Sequence, residues 1–355
     1  MSKNYIIGVF PGDGQGPSII RAAQKILKFI GDKQGFEIDF IEYPYSGAHY
    51  LQTGELLPDS VLSEIQDLPA LLFGGVGHPE VTHGLLSRNI LLKINDALDL
   101  FISERPVKLM SGVKSYLRTK DNKDIDYIII REHSGGLNGK VGGSVRKGSS
   151  GEIAQESLVY GRFQVERCLR YAFQVASSPG RNHQLTLTSK SSLLPHAYDL
   201  WFRCFNEIGE AEFPKVKRNY IEVDDICMQL VRYPENFDVI VTGNLTGDIL
   251  ANVGAVSQGG TGYAAIGSIH PGKIGMFGPM RASAEFYELS DVQANPIAAI
   301  SAAVMLLRYI GEAVAAARIE EAMIITLATE VIGEGTLLSR FQTMEVADMI
   351  LNRIR

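Results

Sequence analysis

Compact apolar runs recur along the chain, and most of them stop at a glycine, proline or charged residue. Tyr5–Phe10 is the first and ends in Pro11-Gly12-Asp13-Gly14. Phe36–Tyr43, Leu68–Phe73, Ile125–Arg131, Gln184–Thr188 and Phe237–Thr242 are of the same kind, with lengths that predict buried strands. Between them the period changes. Ile19, Ile20, Ala23, Ile26, Leu27 and Ile30 recur at helical spacing behind Pro17, a residue suited to a first helical turn. Strands that alternate with helices predict an α/β sheet with a parallel component. Pro296–Ile310 reads as a helix buried on most faces, too short and too interrupted by Arg308 to cross a membrane.

One stretch breaks the rhythm. Gly135–Gly151 combines many glycines with Ser144, Ser149 and Ser150 and the β-favouring Val141 and Val145, which excludes a helix. It is either a surface loop or an exposed hairpin arm that pairs with another subunit.

At 355 residues, with 45% apolar and 21% charged, the chain predicts two packed lobes of an ordinary globular protein. A net charge of −6 without a Lys/Arg block argues against nucleic acid or an anionic membrane as partner. The opening apolar run ends at Pro11, too early for a signal or membrane helix. Cys168, Cys204 and Cys227 have no metal-like spacing and read as small core residues in a reducing compartment, hence a cytoplasmic protein.

Candidate chemistry gathers after the strands. Gly12-Asp13-Gly14-Gln15-Gly16-Pro17 stands between a strand and a helix, where backbone N–H groups can approach an anion, although it lacks the G-x-G-x-x-G spacing and serves equally as a tight connection. Arg105, Arg131 and Lys190 are cations at or near strand ends, the positions that face ligands in open α/β sheets. Two guanidinium forks suit a substrate with carboxylates. Asp224, Asp225, Asp238 and Asp248 are the acidic candidates for Mg²⁺ or Mn²⁺; Asp238 is the weakest, and Asp248 can also be read as a helix cap. No HExxH or G-x-S-x-G element is present.

The order of these pieces resembles the isopropylmalate, isocitrate and tartrate dehydrogenases, the β-decarboxylating family. The segments that carry the resemblance are PGDGQGP, FGGVGHP, LLKINDALDLFISERPVK, IIIREHSGGLNG, TSKSSLL, VDDICMQLVRYPENFDVIVTGNLTGDIL and ANPIAAISAAVMLL. The resemblance implies a two-lobed α/β fold with a mixed parallel/antiparallel sheet, flanking helices and a dimerisation arm. Residues 1–103 plus 253–355 would form the cofactor-side lobe, and 104–252 the substrate and dimerisation lobe, with the arm near 135–160. It also implies oxidation of a 2-hydroxy acid by NAD or NADP with Mg²⁺ or Mn²⁺, followed by loss of CO₂. Arg105 and Arg131 match substrate-binding arginines, Lys190 the lysine that helps deprotonate the hydroxyl, and Asp224 and Asp248 metal ligands. Gly75, Ser192, Arg281 and Asn295 fall on the cofactor side. The site would be shared across a homodimer, with Lys190 and Asp224 supplied by the neighbour.

Several family positions are altered. An arginine is replaced by Asn95, the catalytic tyrosine by Asn138, a metal-side aspartate by Asn252, and an asparagine after the lysine by Ser192. The cofactor loop reads GPMRASAEFYELS, with Arg281 in place of histidine. Asn95 removes a charged fork, which points to a ligand with fewer carboxylates or an amide. Asn138 cannot act as the proton donor to an enolate at neutral pH. Asn252 keeps an oxygen ligand but lowers the charge around the ion. Two readings follow: an active dehydrogenase with an altered substrate, or a homologue that keeps the fold and acts as a regulatory subunit or ligand-binding protein.

Overall fold

The computed structural model describes residues 3–280, 293–330, 333–334, 337–338 and 340–354. The chain divides into two compact units, one of residues 1–100, 108–123 and 255–355, the other of 101–107 and 124–254.

The first unit opens with β1 (Lys3–Phe10), α1 (Gly16–Gln34), β2 (Phe36–Glu42), α2 (Gly47–Thr53), α3 (Asp59–Ile65), β3 (Ala70–Phe73) and α4 (Leu92–Ala97). The second unit carries β4 (Ile102–Lys108), β5 (Asp126–Glu132), β6 (Gly136–Val145), β7 (Ile153–Val159), α5 (Arg162–Ala176), β8 (Gln184–Ser189) and α6 (Pro195–Ala211). It continues through β9 (Lys217–Glu222), α7 (Val223–Arg232), β10 (Val239–Thr242) and α8 (Asn244–Ser257). The chain then completes the first unit with β11 (Ala265–His270), β12 (Ile274–Pro279), α9 (Ile297–Tyr309), α10 (Ala313–Thr329), β13 (Gly333–Glu334), β14 (Leu337–Leu338) and α11 (Thr343–Leu351).

In the first unit the strand order is β2-β1-β3-β12-β11. β1 runs parallel to β2 and β3, β12 runs parallel to β3, and β11 pairs antiparallel to β12, so the sheet is mixed. Ile7 to Phe10 and Ala70 to Phe73 are buried throughout, as expected for strands covered on both faces. α1 presents Ile19, Ile20, Ala23, Ile26, Leu27 and Ile30 to the core and ends at Gly35, whose φ of +79° closes the helix in the left-handed region. α9 is buried from Ile297 to Leu307 apart from Ser301 and packs against α1 and α10. No helix among the described residues is long and apolar enough to cross a membrane.

In the second unit the order is β4-β5-β10-β8-β9, with β10 parallel to β5 and β8, and β8 parallel to β9. The glycine-rich stretch is a two-stranded antiparallel hairpin in which β6 pairs with β7, with an irregularity between Gly136 and Val141. Val141, Val145 and Ile153 on it are more than half or about half exposed.

The Gly-Asp-Gly turn after β1 is a structural knot. The carboxylate of Asp13, 2% exposed, accepts N–H groups from Gly47 at 2.7 Å, Ala48 at 3.0 Å and Gly77 at 2.9 Å. A side chain at Gly12 would place its Cβ 1.8 Å from the carbonyl oxygen of Gly75, so this turn and the loop after β3 lie backbone to backbone. Asp13→Ala leaves these N–H groups without their acceptor and is expected to cost about 3 kcal/mol. Urea unfolding measures it; a loss under about 1 kcal/mol would contradict this role.

Candidate functional site

Three charged side chains of the second unit converge. Arg105 stands in β4, Arg131 near the end of β5, and Asp248 in the second turn of α8. Oδ1 of Asp248 accepts from Nη2 of Arg105 at 2.9 Å and from Nη1 of Arg131 at 3.3 Å. Arg105 also donates through Nε to Oγ of Ser103 at 3.2 Å, and Arg131 through Nε to the carbonyl of Asn244 at 2.8 Å. Gly247 makes this approach possible, because a Cβ there would lie 2.8 Å from Cβ and Cγ of Arg131. The two guanidinium side chains are 8% and 11% exposed, whereas that of Asp248 is 51% exposed. Burial and the neighbouring Arg131 lower the pKa of Arg105 to about 10, and burial lowers that of Arg131. Both remain cations at neutral pH; Asp248 bridges them and Glu132 adds its attraction at Arg131. The half-exposed carboxylate between two buried cations marks where an external anion can bind.

The turn after β5 is tied down around this cluster. Glu132 is fully buried and accepts from the backbone N–H groups of Ser134 and Gly135, both at 2.8 Å, and from the Ser134 hydroxyl at 2.5 Å. Burial of His133, reinforced by Arg131 and Arg105, holds its pKa well below the usual imidazole range, so the ring is neutral. Asn138 donates through Nδ2 to the carbonyl of His133 at 2.8 Å.

A second pair forms after β8. Lys190 follows β8 and donates through Nζ to the carboxylate of Asp224, in the first turn of α7. This hydrogen bond raises the pKa of Lys190, against some desolvation. Ser191 donates its hydroxyl to Glu222, and Ser192, exposed, donates its N–H to the same oxygen at 3.3 Å.

The structure thus brings Arg105, Arg131 and Asp248 into one cluster and Lys190 with Asp224 into another. Asp248 is not a helix cap: its carboxylate is committed to arginines. Asp238 is buried and accepts from the N–H groups of Asn182 at 2.8 Å and Gln184 at 3.2 Å, which makes it a loop anchor. Asn252 donates through Nδ2 to the carbonyl of Asp248 at 2.9 Å, leaving its amide oxygen for other use. Asn95 is 6% exposed in α4, and neither its amide oxygen nor its amide nitrogen has a hydrogen-bond partner among the described residues. Gly75 has a φ of +89° and accepts the Asp13 N–H at 3.0 Å. Asn295 accepts the N–H of Ile297 at 3.1 Å at the start of α9. Arg281 lies outside the described residues. Among the described residues no group of three or more His, Cys, Asp or Glu side chains is placed to hold a metal.

Tyr160 went unmarked in the sequence. It follows β7, packs edge-on against Trp201 with ring centroids 5.5 Å apart, and its hydroxyl accepts the Asn244 N–H at 3.2 Å. It lines a cavity of about 290 Å³ together with Thr188, Lys190, Gly243 and Thr246. No periodicity or spacing marks a lone tyrosine at the end of a hairpin; its partners are assembled only in three dimensions.

Comparison with known proteins finds matches over nearly the whole chain. The family described as isocitrate/isopropylmalate dehydrogenase matches residues 6–350. A 3-isopropylmalate dehydrogenase of Thermobifida fusca (strain YX) is 38% identical over 324 residues, 91% of each chain. One of Corynebacterium glutamicum (strain R) is 38% identical over 352 residues, covering 98% of this chain and 99% of that protein. The crystal structure of isocitrate dehydrogenase from Methylococcus capsulatus superimposes with a TM-score of 0.86 at 28% identity, covering 99% of both chains.

Proposed function

The chain belongs to the isocitrate/isopropylmalate dehydrogenase family, and from that premise we propose that it oxidises a 2-hydroxy acid with NAD or NADP and a divalent ion, then releases CO₂. The observation that carries the proposal is the pair of buried arginines sharing one carboxylate, Arg105 and Arg131 on Asp248. Such a cluster receives a substrate carboxylate by exchanging the internal anion for an external one. Asn95, at the position of a further arginine in the family pattern, favours a substrate with fewer carboxylates or with an amide in that place.

The donor chemistry fits a hard divalent cation. One oxygen of Asp248 is free of the arginines, Asn252 retains an amide oxygen, and both side chains reach solvent. Asp248 and Asn252, with Asp224 of the partner subunit, would hold Mg²⁺ or Mn²⁺. The exposed hydroxyl of Ser192, two residues after Lys190, fits the polar edge of a nicotinamide. When bound, the nicotinamide takes up a hydride and the metal ion polarises the oxygen at the oxidised carbon. Arg105 and Arg131 bind and orient the substrate, and Lys190 helps deprotonate the hydroxyl once its own proton has passed to Asp224 or to water.

The reading includes a homodimer. Leu193, Met228, Val231, Leu245 and Ile249 are between 47% and 73% exposed on the second unit, apolar surface that a second copy would cover. In that dimer Lys190 and Asp224 serve the neighbour's arginine cluster, and the β6–β7 hairpin takes part in the contact. Three free cysteines suit a reducing compartment, in keeping with a cytoplasmic enzyme.

A second reading, a homologue that binds ligand without turnover, is favoured by Asn138, whose amide nitrogen is engaged by His133. Nicotinamide absorbance across a panel of 2-hydroxy acids, with NAD⁺ or NADP⁺ and Mg²⁺ or Mn²⁺, separates the two. The dehydrogenase reading expects reduction with at least one acid; no reduction and no nucleotide binding under any condition would leave the second.

A further inference from the structure

The family's proton-donating tyrosine is absent, yet a phenol reaches the segments that flank its position. The Tyr160 hydroxyl is where two chemistry-bearing turns meet. A Cβ at Gly136, in the turn that follows Arg131, would fall 2.8 Å from that oxygen, and a Cβ at Gly243, just before α8, would fall 2.1 Å from it. Glycine at both positions lets the hydroxyl pack against the backbone of both turns. The oxygen accepts the Asn244 N–H at 3.2 Å, and the carbonyl of that same residue accepts from Arg131 at 2.8 Å. The hydroxyl proton has no acceptor among the described residues. The phenol lines the cavity described above together with Gly243 and Thr246.

We propose that Tyr160 is the acid that delivers a proton to carbon after CO₂ has left. This rests on the oxidative decarboxylation proposed above. Cleavage of the bond to the carboxylate leaves its electron pair in an enolate. The O–H bond of Tyr160 then breaks and its proton forms the new C–H bond. The resulting phenolate keeps the Asn244 N–H as a donor and is reprotonated by water entering the cavity. Burial pushes the phenol's pKa up, the Asn244 N–H opposes that shift, and Glu132 adds to it while Arg131 counters. The group is therefore protonated when the enolate forms, with the Asn244 N–H in place to receive the phenolate. Asn138 has no comparable acidic proton to give.

The competing account is that the hydroxyl only anchors the first residue of α8. Tyr160→Phe keeps the ring on Trp201 and removes the proton. Turnover in D₂O distinguishes the two, because an acid held on one face of the enolate places deuterium stereospecifically at the carbon that loses CO₂. For Tyr160→Phe the inference expects kcat to fall about 10²-fold, KM to stay near the wild-type value, and deuterium to enter without facial preference. Gly243→Ala, which leaves the tyrosine in the chain and crowds its hydroxyl, is expected to lose the same stereospecificity and serves if Tyr160→Phe does not fold. Stereospecific deuteration retained in the folded variants overturns the role of Tyr160 and leaves the dehydrogenase reading standing. A rise in KM and a fall in thermal midpoint, with stereospecificity intact, assigns the hydroxyl to anchoring and likewise overturns it. Absence of nicotinamide reduction by the wild-type protein overturns the dehydrogenase reading, and this inference with it.

Discussion

Lys190→Ala is expected to lower turnover by about 10³-fold while the protein keeps its thermal midpoint. The side chain is 29% exposed and its partner Asp224 is 66% exposed, so the ion pair stands in solvent and its loss leaves the core untouched. The loss is chemical: without the amine the substrate's hydroxyl proton loses its route to Asp224. Lys190→Arg sharpens the test, because a guanidinium keeps the charge and the pairing with Asp224 yet cannot exchange a proton near neutral pH. Stopped-flow measurement of the first hydride transfer should show both variants equally slow. A fast first turnover in Lys190→Arg would mean that Lys190 contributes charge and not proton transfer.

Asp248→Asn should produce effects of opposite sign on cations and anions. The carboxylate is the shared counter-charge of Arg105 and Arg131. Neutralising it frees two buried guanidinium groups for an external anion, so a simple dicarboxylate such as malonate is expected to bind about 10-fold more tightly. The same change removes the one carboxylate that this cluster offers to a metal ion, so Mn²⁺ binding followed by electron paramagnetic resonance should weaken by at least about 10-fold. Turnover should fall with it. If anion and cation affinity drop together, Asp248 is a scaffold for the arginines and the electrostatic account of the cluster is wrong.

Much of the fold is legible from local pattern, and the exceptions have identifiable causes. The apolar runs ending at Phe10, Phe73 and Thr242 are strands because burial on both faces demands uninterrupted apolar residues. β4 escapes such a reading because Glu104, Arg105 and Pro106 interrupt it; of these, Arg105 joins the charged cluster and Glu104 accepts the Tyr171 hydroxyl. β12 carries Gly275 and Gly278, which read as turn signals, yet a Cβ at Gly278 would lie 2.1 Å from the carbonyl oxygen of Phe73, so close strand packing requires glycine. The glycine-rich stretch left two alternatives open, and the hairpin is the one that forms; irregular pairing at Gly136 is the reason its alternation is faint.

The site divides in the same way. Arg131 is marked by its position at a strand end, and Arg105 and Asp248 by family pattern, but only the folded chain shows one carboxylate oxygen serving both arginines. The turn Gly12–Pro17 could be read as an anion cradle or as a tight connection; Gly12 packs against the backbone of Gly75, and Asp13 accepts from Gly47, Ala48 and Gly77. Tyr160 is invisible to motif reasoning: its significance comes from Gly136 and from Gly243 with Asn244, two segments far apart in the chain.

Mixing the two impaired variants tests the shared site most directly. Lys190→Ala and Asp248→Asn each damage one half of a composite centre, and in a mixed dimer one of the two centres receives both lesions and the other neither. After unfolding and refolding together in equal amounts, the account predicts recovery of about a quarter of wild-type turnover. Activity of the mixture no greater than the mean of the two variants alone, in a preparation shown to contain mixed dimers, would place Lys190 and Asp248 in the same chain's site and contradict it.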